Sequence, residues 1–288
     1  MKDRSLVAFT ILSQVAVGTF WVLGGLRFWA AQQGGPAGAR ALTGHASLAV
    51  GPLMVLALLA SFFHLGVPLG AWRALTNLRS SWLSREVFFA ALFTGASLLS
   101  TGLCWFDLGS ALAQAIVTAG TALLGLALLL SMAAAYRLRT IPAWDSWATP
   151  VSFFITALLL GVLATGTALG LDPTVPPDLA GTVLPAIGLG AVVLLGAELV
   201  ATLLWVASLA AGPQAALRAV DRITRTHGHI FRLRLYLAVA GIAAAVAGLP
   251  AWGQVMRAVT AALAFGLVLA GEVLGRLLFY EARARLGV

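Results

Sequence analysis

Charge is scarce in this chain. Of 288 residues only 10% are Asp, Glu, Lys or Arg, against about 25% in a soluble domain. With 60% apolar residues and a mean hydropathy of +0.97, a water-soluble globule is excluded and an integral membrane protein is predicted. Cysteine is nearly missing. Cys104 stands alone, which excludes an intramolecular disulfide and any Cys-ligated cluster or zinc site within the chain. The four histidines fall at His45, His64, His227 and His229, and no two of them can face each other inside the membrane from adjacent helices. Buried bis-histidine ligation of a b-type haem is thereby excluded. No Walker loop, no G-x-G-x-x-G and no Ser/His/Asp arrangement is present.

What remains is long apolar runs. A bilayer core needs about 20 mostly apolar residues per helix. Eight stretches qualify: roughly 6–28, 46–65, 86–106, 109–135, 149–171, 182–211, 235–252 and 255–280. Backbone groups in lipid must be satisfied within the segment, so these are predicted helices, and the ten-residue alternation of an outer-membrane barrel is absent. The fold class is an all-α bundle of eight transmembrane helices, with residues 1–288 as one transmembrane domain. The apolar run after Met1-Lys2-Asp3-Arg4 is too long for a signal-peptide core and reads as the first span. The glycines between Gly181 and Gly196 suggest close helix packing.

The sparse charge is uneven. Eighteen Lys+Arg against ten Asp+Glu leave +8. Fifteen of the basic residues fall on the side that holds both termini, and only Arg27, Arg40 and Arg257 fall on the other. Such a bias predicts cytoplasmic termini in a plasma membrane. On the basic side Trp72, Trp82, Trp144 and Trp147 would form an aromatic belt. Pro213 to Arg225 alternates Leu217, Val220 and Ile223 with Arg218, Arg222 and Arg225, the pattern of a basic helix lying at the interface.

Ionisable groups near or within spans cost free energy and mark function. His64 ends the second run and Glu86 begins the third, at the same membrane face. An imidazole titrates near neutral pH and suits proton transfer. Glu86 alone would also suit the positive end of its helix. Phe62, Phe63, Trp82, Phe88 and Phe89 could sandwich a flat ring. Deeper, Glu272 precedes Arg276 by four residues, a favourable ion-pair spacing, whereas Glu198 has no partner near it in sequence. His227-Gly228-His229 reads as a solvated or partner-contacting segment.

Particular motifs carry a resemblance. His64-Leu65-Gly66-Val67-Pro68, Leu75-Thr76-Asn77-Leu78-Arg79-Ser80-Ser81-Trp82-Leu83-Ser84-Arg85-Glu86, Gly271-Glu272-Val273-Leu274-Gly275-Arg276-Leu277-Leu278-Phe279-Tyr280 and the N-terminal Leu6 to Gln14 resemble the DmsC family. These are membrane anchor subunits of DMSO-reductase-type molybdenum enzymes. The resemblance implies that the protein binds a quinol, usually menaquinol, and holds no haem. It implies as partners a four-cluster iron–sulfur subunit and a molybdopterin-bearing catalytic subunit. The family's quinol-site histidine and glutamate match His64 and Glu86, with Arg85 and Trp82 at the mouth of the site. The expected function is quinol oxidation in anaerobic respiration, with electrons passed to the iron–sulfur partner. The alternative is a secondary transporter or proton conductor using Glu198 and Glu272, although no internal repeat supports it.

Overall fold

The structure, a computed structural model, describes residues 2–62, 77–249 and 253–283. Among them eight helical segments are long and apolar enough to cross a membrane, and no strand occurs. The helices are α1 (Lys2–Ser47), α2 (Val50–Phe62), α3 (Trp82–Trp105), α4 (Ala111–Tyr136), α5 (Ala148–Leu171), α6 (Pro177–Ala210), α7 (Gln214–Asp221), α8 (Gly228–Ala247) and α9 (Gln254–Glu281). The expected all-α membrane bundle is observed.

The boundaries differ from expectation in two places. The connection left between the apolar runs 6–28 and 46–65 contracts to a break at Gly34 and Gly35. Gly35 takes φ 67°, ψ −168°, a conformation open to glycine but costly with a Cβ. The first span is therefore Arg4–Gly35, and the second, Ala37–Ser61, runs on through the end of α1 into α2. Pro52 sits in the first turn of α2, where its missing N–H costs least. The seventh span begins at Gly228 rather than near 235, because Arg232 and Arg234 lie inside α8.

Capping sets two other starts. The Ser81 side chain accepts from the Ser84 N–H at the head of α3, and Ser110 does so from Ala113 at the head of α4. Such caps are worth about 1 kcal/mol each. Between them Asp107 (φ 54°) and Gly109 (φ 77°) make the reversal. Asp107 is ion-paired with Arg40. Hydrogen bonds from Arg40 and Gln114, then the Arg40 charge, hold its carboxyl below the usual range.

The core forms where α1 crosses α5. A Cβ on Gly18 would lie 1.7 Å from the carbonyl oxygen of Ala157, and one on Gly161 would lie 2.1 Å from the carbonyl carbon of Gly18. The two backbones are in contact, so neither position can hold a side chain. By contrast, Gly181, Gly190 and Gly196 face open space among the described residues. Of the 181–196 glycines Gly188 alone packs as expected among the described residues, a Cβ there lying 3.0 Å from Leu249 Cδ2, while the backbone-to-backbone contact is made at Gly18 and Gly161. Gly161→Ala is expected to cost about 3 kcal/mol, the upper end for overpacking, read as a lower unfolding temperature in detergent.

On the face opposite the termini, His45 Nδ1 lies 2.8 Å from Asp172 Oδ2 and 3.1 Å from Thr174 Oγ1. Burial pushes the Asp172 carboxyl up, but the Thr174 hydroxyl and backbone N–H, with His45, outweigh it and leave it low. A carboxyl lowered on folding adds stability that is complete above its unfolded value of about 3.9 and is lost as pH falls through the folded value. Asp172→Asn is expected to flatten stability against pH in that acid window. At neutral pH it should cost under about 1 kcal/mol, as for a surface pair. Thermal unfolding between about pH 3 and 7 checks both.

Candidate functional site

Glu86 sits on the second turn of α3, at the face that carries the termini, and is only 3% exposed. Ser84 and Ala90 on the same helix are also buried. Among the described residues no Lys, Arg or His lies within ion-pair distance of Glu86. The Tyr136 and Tyr280 hydroxyls are 2.9 Å apart. His64 and Phe63 lie outside the described residues. Phe88 and Phe89 meet edge to face at 5.4 Å.

Arg85, next to Glu86, spends its guanidinium on the preceding turn. Its Nε donates to the Leu78 carbonyl at 2.8 Å and its Nη2 to the Arg79 carbonyl at 2.9 Å. The same group lies 4.1 Å over the Trp82 ring, a cation–π contact. Arg85 thus fixes the 78–82 turn and holds Trp82, which is half-exposed at the membrane edge. Trp147 is similarly exposed. Trp144 departs from the expected belt. It is buried, donates from Nε1 to the Phe279 carbonyl at 2.6 Å and stacks on Phe279 at 5.4 Å. Leu217 also departs from expectation. It is exposed, and α7 buries Ala215, Ala216 and Ala219 instead.

A second polar centre lies deeper on the same side. Arg234 of α8 donates from Nη2 to Glu198 Oε1 of α6 at 2.6 Å, and the same nitrogen is 3.7 Å from Glu272 Oε1 of α9. Glu198 and Glu272 thus meet at one arginine nitrogen. Thr156 of α5 donates to Glu272 Oε2 at 2.6 Å. The expected Glu272–Arg276 pair gives way to this arrangement. Arg276 donates instead to Gln14 Oε1 of α1 at 3.0 Å and lies 3.8 Å over the Phe153 ring. The Gln14 amide nitrogen in turn donates to the Phe153 carbonyl. Five helices are joined through one set of buried polar side chains.

Glycine makes room for it. A Cβ on Gly275 would come 2.5 Å from Arg234 Nε. The C-terminal motif can therefore be read physically: Gly275 admits the arginine of α8, while Glu272 and Arg276, one turn apart on α9, engage different partners. A cavity of about 50 Å³ borders Thr149, Ser152, Trp205, Arg234, Glu272 and Arg276, room for a few waters. Arg276 Nε is buried without a protein partner and borders that space.

Sequence alone does not single out Arg234, Gln14, Thr156, Tyr136 or Tyr280. Local context places Arg234 among the interfacial positive charges, six residues into a helix. The available signal is Glu198, which has no partner near it in sequence: a carboxylate within a span is expected to face the bundle interior and find a partner on another helix.

A bundle of eight apolar spans, with one buried carboxylate at a membrane face and an ion network behind it, defines a multi-pass integral membrane subunit. The profile of the DmsC family, "DMSO reductase anchor subunit (DmsC)", matches residues 1–282, and the protein belongs to that family. It is 29% identical over 295 residues to a chain of the anaerobic dimethyl sulfoxide reductase of Escherichia coli (strain K12), an alignment that takes in 98% of this sequence and 96% of that protein. It is 30% identical over 169 residues to YnfH, an anaerobic dimethyl sulfoxide reductase chain of the same organism. That match spans 57% of this sequence and little more than half, 56%, of YnfH. A stretch of 65 residues is 48% identical to a subunit of the sulfite dehydrogenase of Allochromatium vinosum, 20% of each protein.

Proposed function

We propose that this anchor subunit oxidises a quinol, menaquinol or a close relative, and passes the electrons to an iron–sulfur subunit of a molybdopterin oxidoreductase complex. The observation that carries the reading is the burial of Glu86, 3% exposed, at the head of α3, in a family of reductase anchors. A carboxylate is retained at such a place at a cost, and membrane interiors keep such groups for function. Relatives named as parts of a reductase and of a dehydrogenase support an assembly with catalytic and electron-transfer subunits.

Quinol oxidation releases two electrons and two protons. In this reading His64 hydrogen-bonds one quinol oxygen and accepts its proton, and Glu86 takes a proton onward to the adjacent aqueous face. Trp82, held by Arg85, borders the entrance. The electrons leave the anchor, since its single cysteine supplies no cluster ligand set, and a redox partner docks over the same face. The exposed arginines there, Arg218, Arg222, Arg225 and Arg232, suit an acidic partner. The arginine bias supports a cytoplasmic position for this face, although Arg234 and Arg276 belong to the ion network rather than to the interface. A transporter reading would need Glu198 and Glu272 as mobile carriers. Their engagement by Arg234 and Thr156 counts against it.

The test is to purify the complex through a tag on this anchor and supply menadiol with the terminal acceptor. Iron, acid-labile sulfide and molybdenum should co-purify, and menadiol oxidation should follow. A complex that assembles with those metals and accepts electrons from an artificial dye but not from menadiol would overturn the reading.

A further inference from the structure

A cavity lies away from Glu86. It lies between α1 and α4 at the opposite membrane face, with a volume of about 400 Å³. We propose that it is a binding site for an anionic phospholipid, with one acyl chain in the groove and the phosphate on Arg27.

The shape is that of an alkyl tail. One wall is the stripe Ala111, Ala115, Thr118, Ala119 and Ala122 of α4, and the other includes Trp21, Gly24 and Gly25 of α1. Small residues leave the slot empty: a Cβ on Gly25 would meet nothing within 4 Å. From Ala111 to Ala122 the groove runs roughly 16 Å at the helical rise, about half of a ~30 Å hydrocarbon core and so one leaflet.

The polarity is that of a lipid rather than a quinone. A quinone has an oxygen at each end of its ring and needs two donors. The inner donors here are already engaged. Trp21 Nε1 donates to the Ala122 carbonyl at 3.0 Å, and its ring stacks on Phe154. Thr118 Oγ1 donates to the Gln114 carbonyl at 2.8 Å. The Gln114 amide nitrogen faces Asp107 and the Leu108 carbonyl. Arg27 is the cation at the mouth, level with the first turn of α4. It donates to Gln114 Oε1 at 3.1 Å, and a guanidinium carries more donors than one acceptor uses. The nearby charges are Arg27, Arg40 and Asp107, with Asp107 ion-paired to Arg40, so the mouth carries one net positive charge for an anion. A phosphate at one end and methylenes along the rest match that gradient.

The experiment uses the full-length protein in detergent. It is exchanged from mixed vesicles of phosphatidylglycerol and phosphatidylcholine with identical acyl chains, and retained lipid is read by native mass spectrometry. Wild type is expected to retain phosphatidylglycerol preferentially. Arg27→Gln should lower that retention about tenfold or more, as loss of a charge-assisted hydrogen bond implies, and Arg27→Lys should keep most of it. Ala119→Phe fills the groove from a lipid-facing position and should abolish retention of both lipids without altering the unfolding temperature, so it remains informative if Arg27→Gln does not fold. Equal retention of the two lipids, unchanged by Arg27→Gln, would overturn the proposal. So would displacement of the lipid by stoichiometric menaquinone-4.

Discussion

Exchanging Glu86 for glutamine is expected to lower quinol-dependent turnover of the assembled complex by about 10²- to 10⁴-fold, the range for a lost general base, with no change in the amount of complex assembled. Glutamine has nearly the same volume, so packing around this buried position persists. What is lost is a group able to receive a proton. Among the described residues no cation pairs with Glu86, so the exchange leaves no uncompensated charge behind. Dye-dependent reduction in the catalytic subunit should stay at its wild-type level, which separates the quinol half-reaction from the rest. Glu86→Asp restores the acid but draws it back by one methylene, and partial activity is expected. Quinol turnover near the wild-type rate in Glu86→Gln would sink the role assigned to this carboxylate.

Replacing Arg234 by methionine acts on assembly rather than on turnover. It strands Glu198 and Glu272, each 6% exposed, without the cation that bridges α6, α8 and α9. Removing one partner of a buried ion pair costs about 3–5 kcal/mol, a large share of the roughly 5–15 kcal/mol that holds a typical domain. The expected result is a sharp fall in membrane-inserted protein and in its unfolding temperature. Adding Glu198→Leu to Arg234→Met should recover part of the loss, because apolar replacement of a buried ion pair is often near neutral, while Glu272 keeps its Thr156 hydrogen bond. An interaction energy of that sign in the double-mutant cycle is the check. Additive effects would mean that the pair is not coupled as the 2.6 Å contact indicates.

These two centres differ in how far the sequence discloses them. Glu86 stands at the head of an apolar run, beside a motif, where length and hydropathy alone place it at a membrane face. The eight spans are legible for the same reason, since each needs only enough apolar residues. Pairings across helices are not. Glu272 and Arg276 have the spacing of an ion pair, but Arg276 points into the α1–α5 side and meets Gln14. The partner that Glu272 shares with Glu198 comes from another helix, at an arginine that composition assigns to the interface. Gly18 and Gly161 likewise look no different in sequence from Gly190 or Gly196, and only the crossing of α1 with α5 distinguishes them. His64, the other half of the proposed quinol site, lies outside the described residues, so that pairing rests on sequence adjacency to the end of α2.

The glycine contact between α1 and α5 bears on biogenesis. Among the described residues the span made before the other seven is the most enclosed, and it carries Thr10, Ser13, Gln14 and Thr19 as buried polar groups. The carbonyl that Gln14 bonds and the guanidinium it accepts from belong to α5 and α9, which are synthesised much later. Until then those groups must wait in the translocon or against lipid without their final partners. Truncation after the fourth span should accordingly leave a nascent polypeptide that quality-control proteases or an insertion chaperone recognise, whereas products long enough to include α5 should escape them.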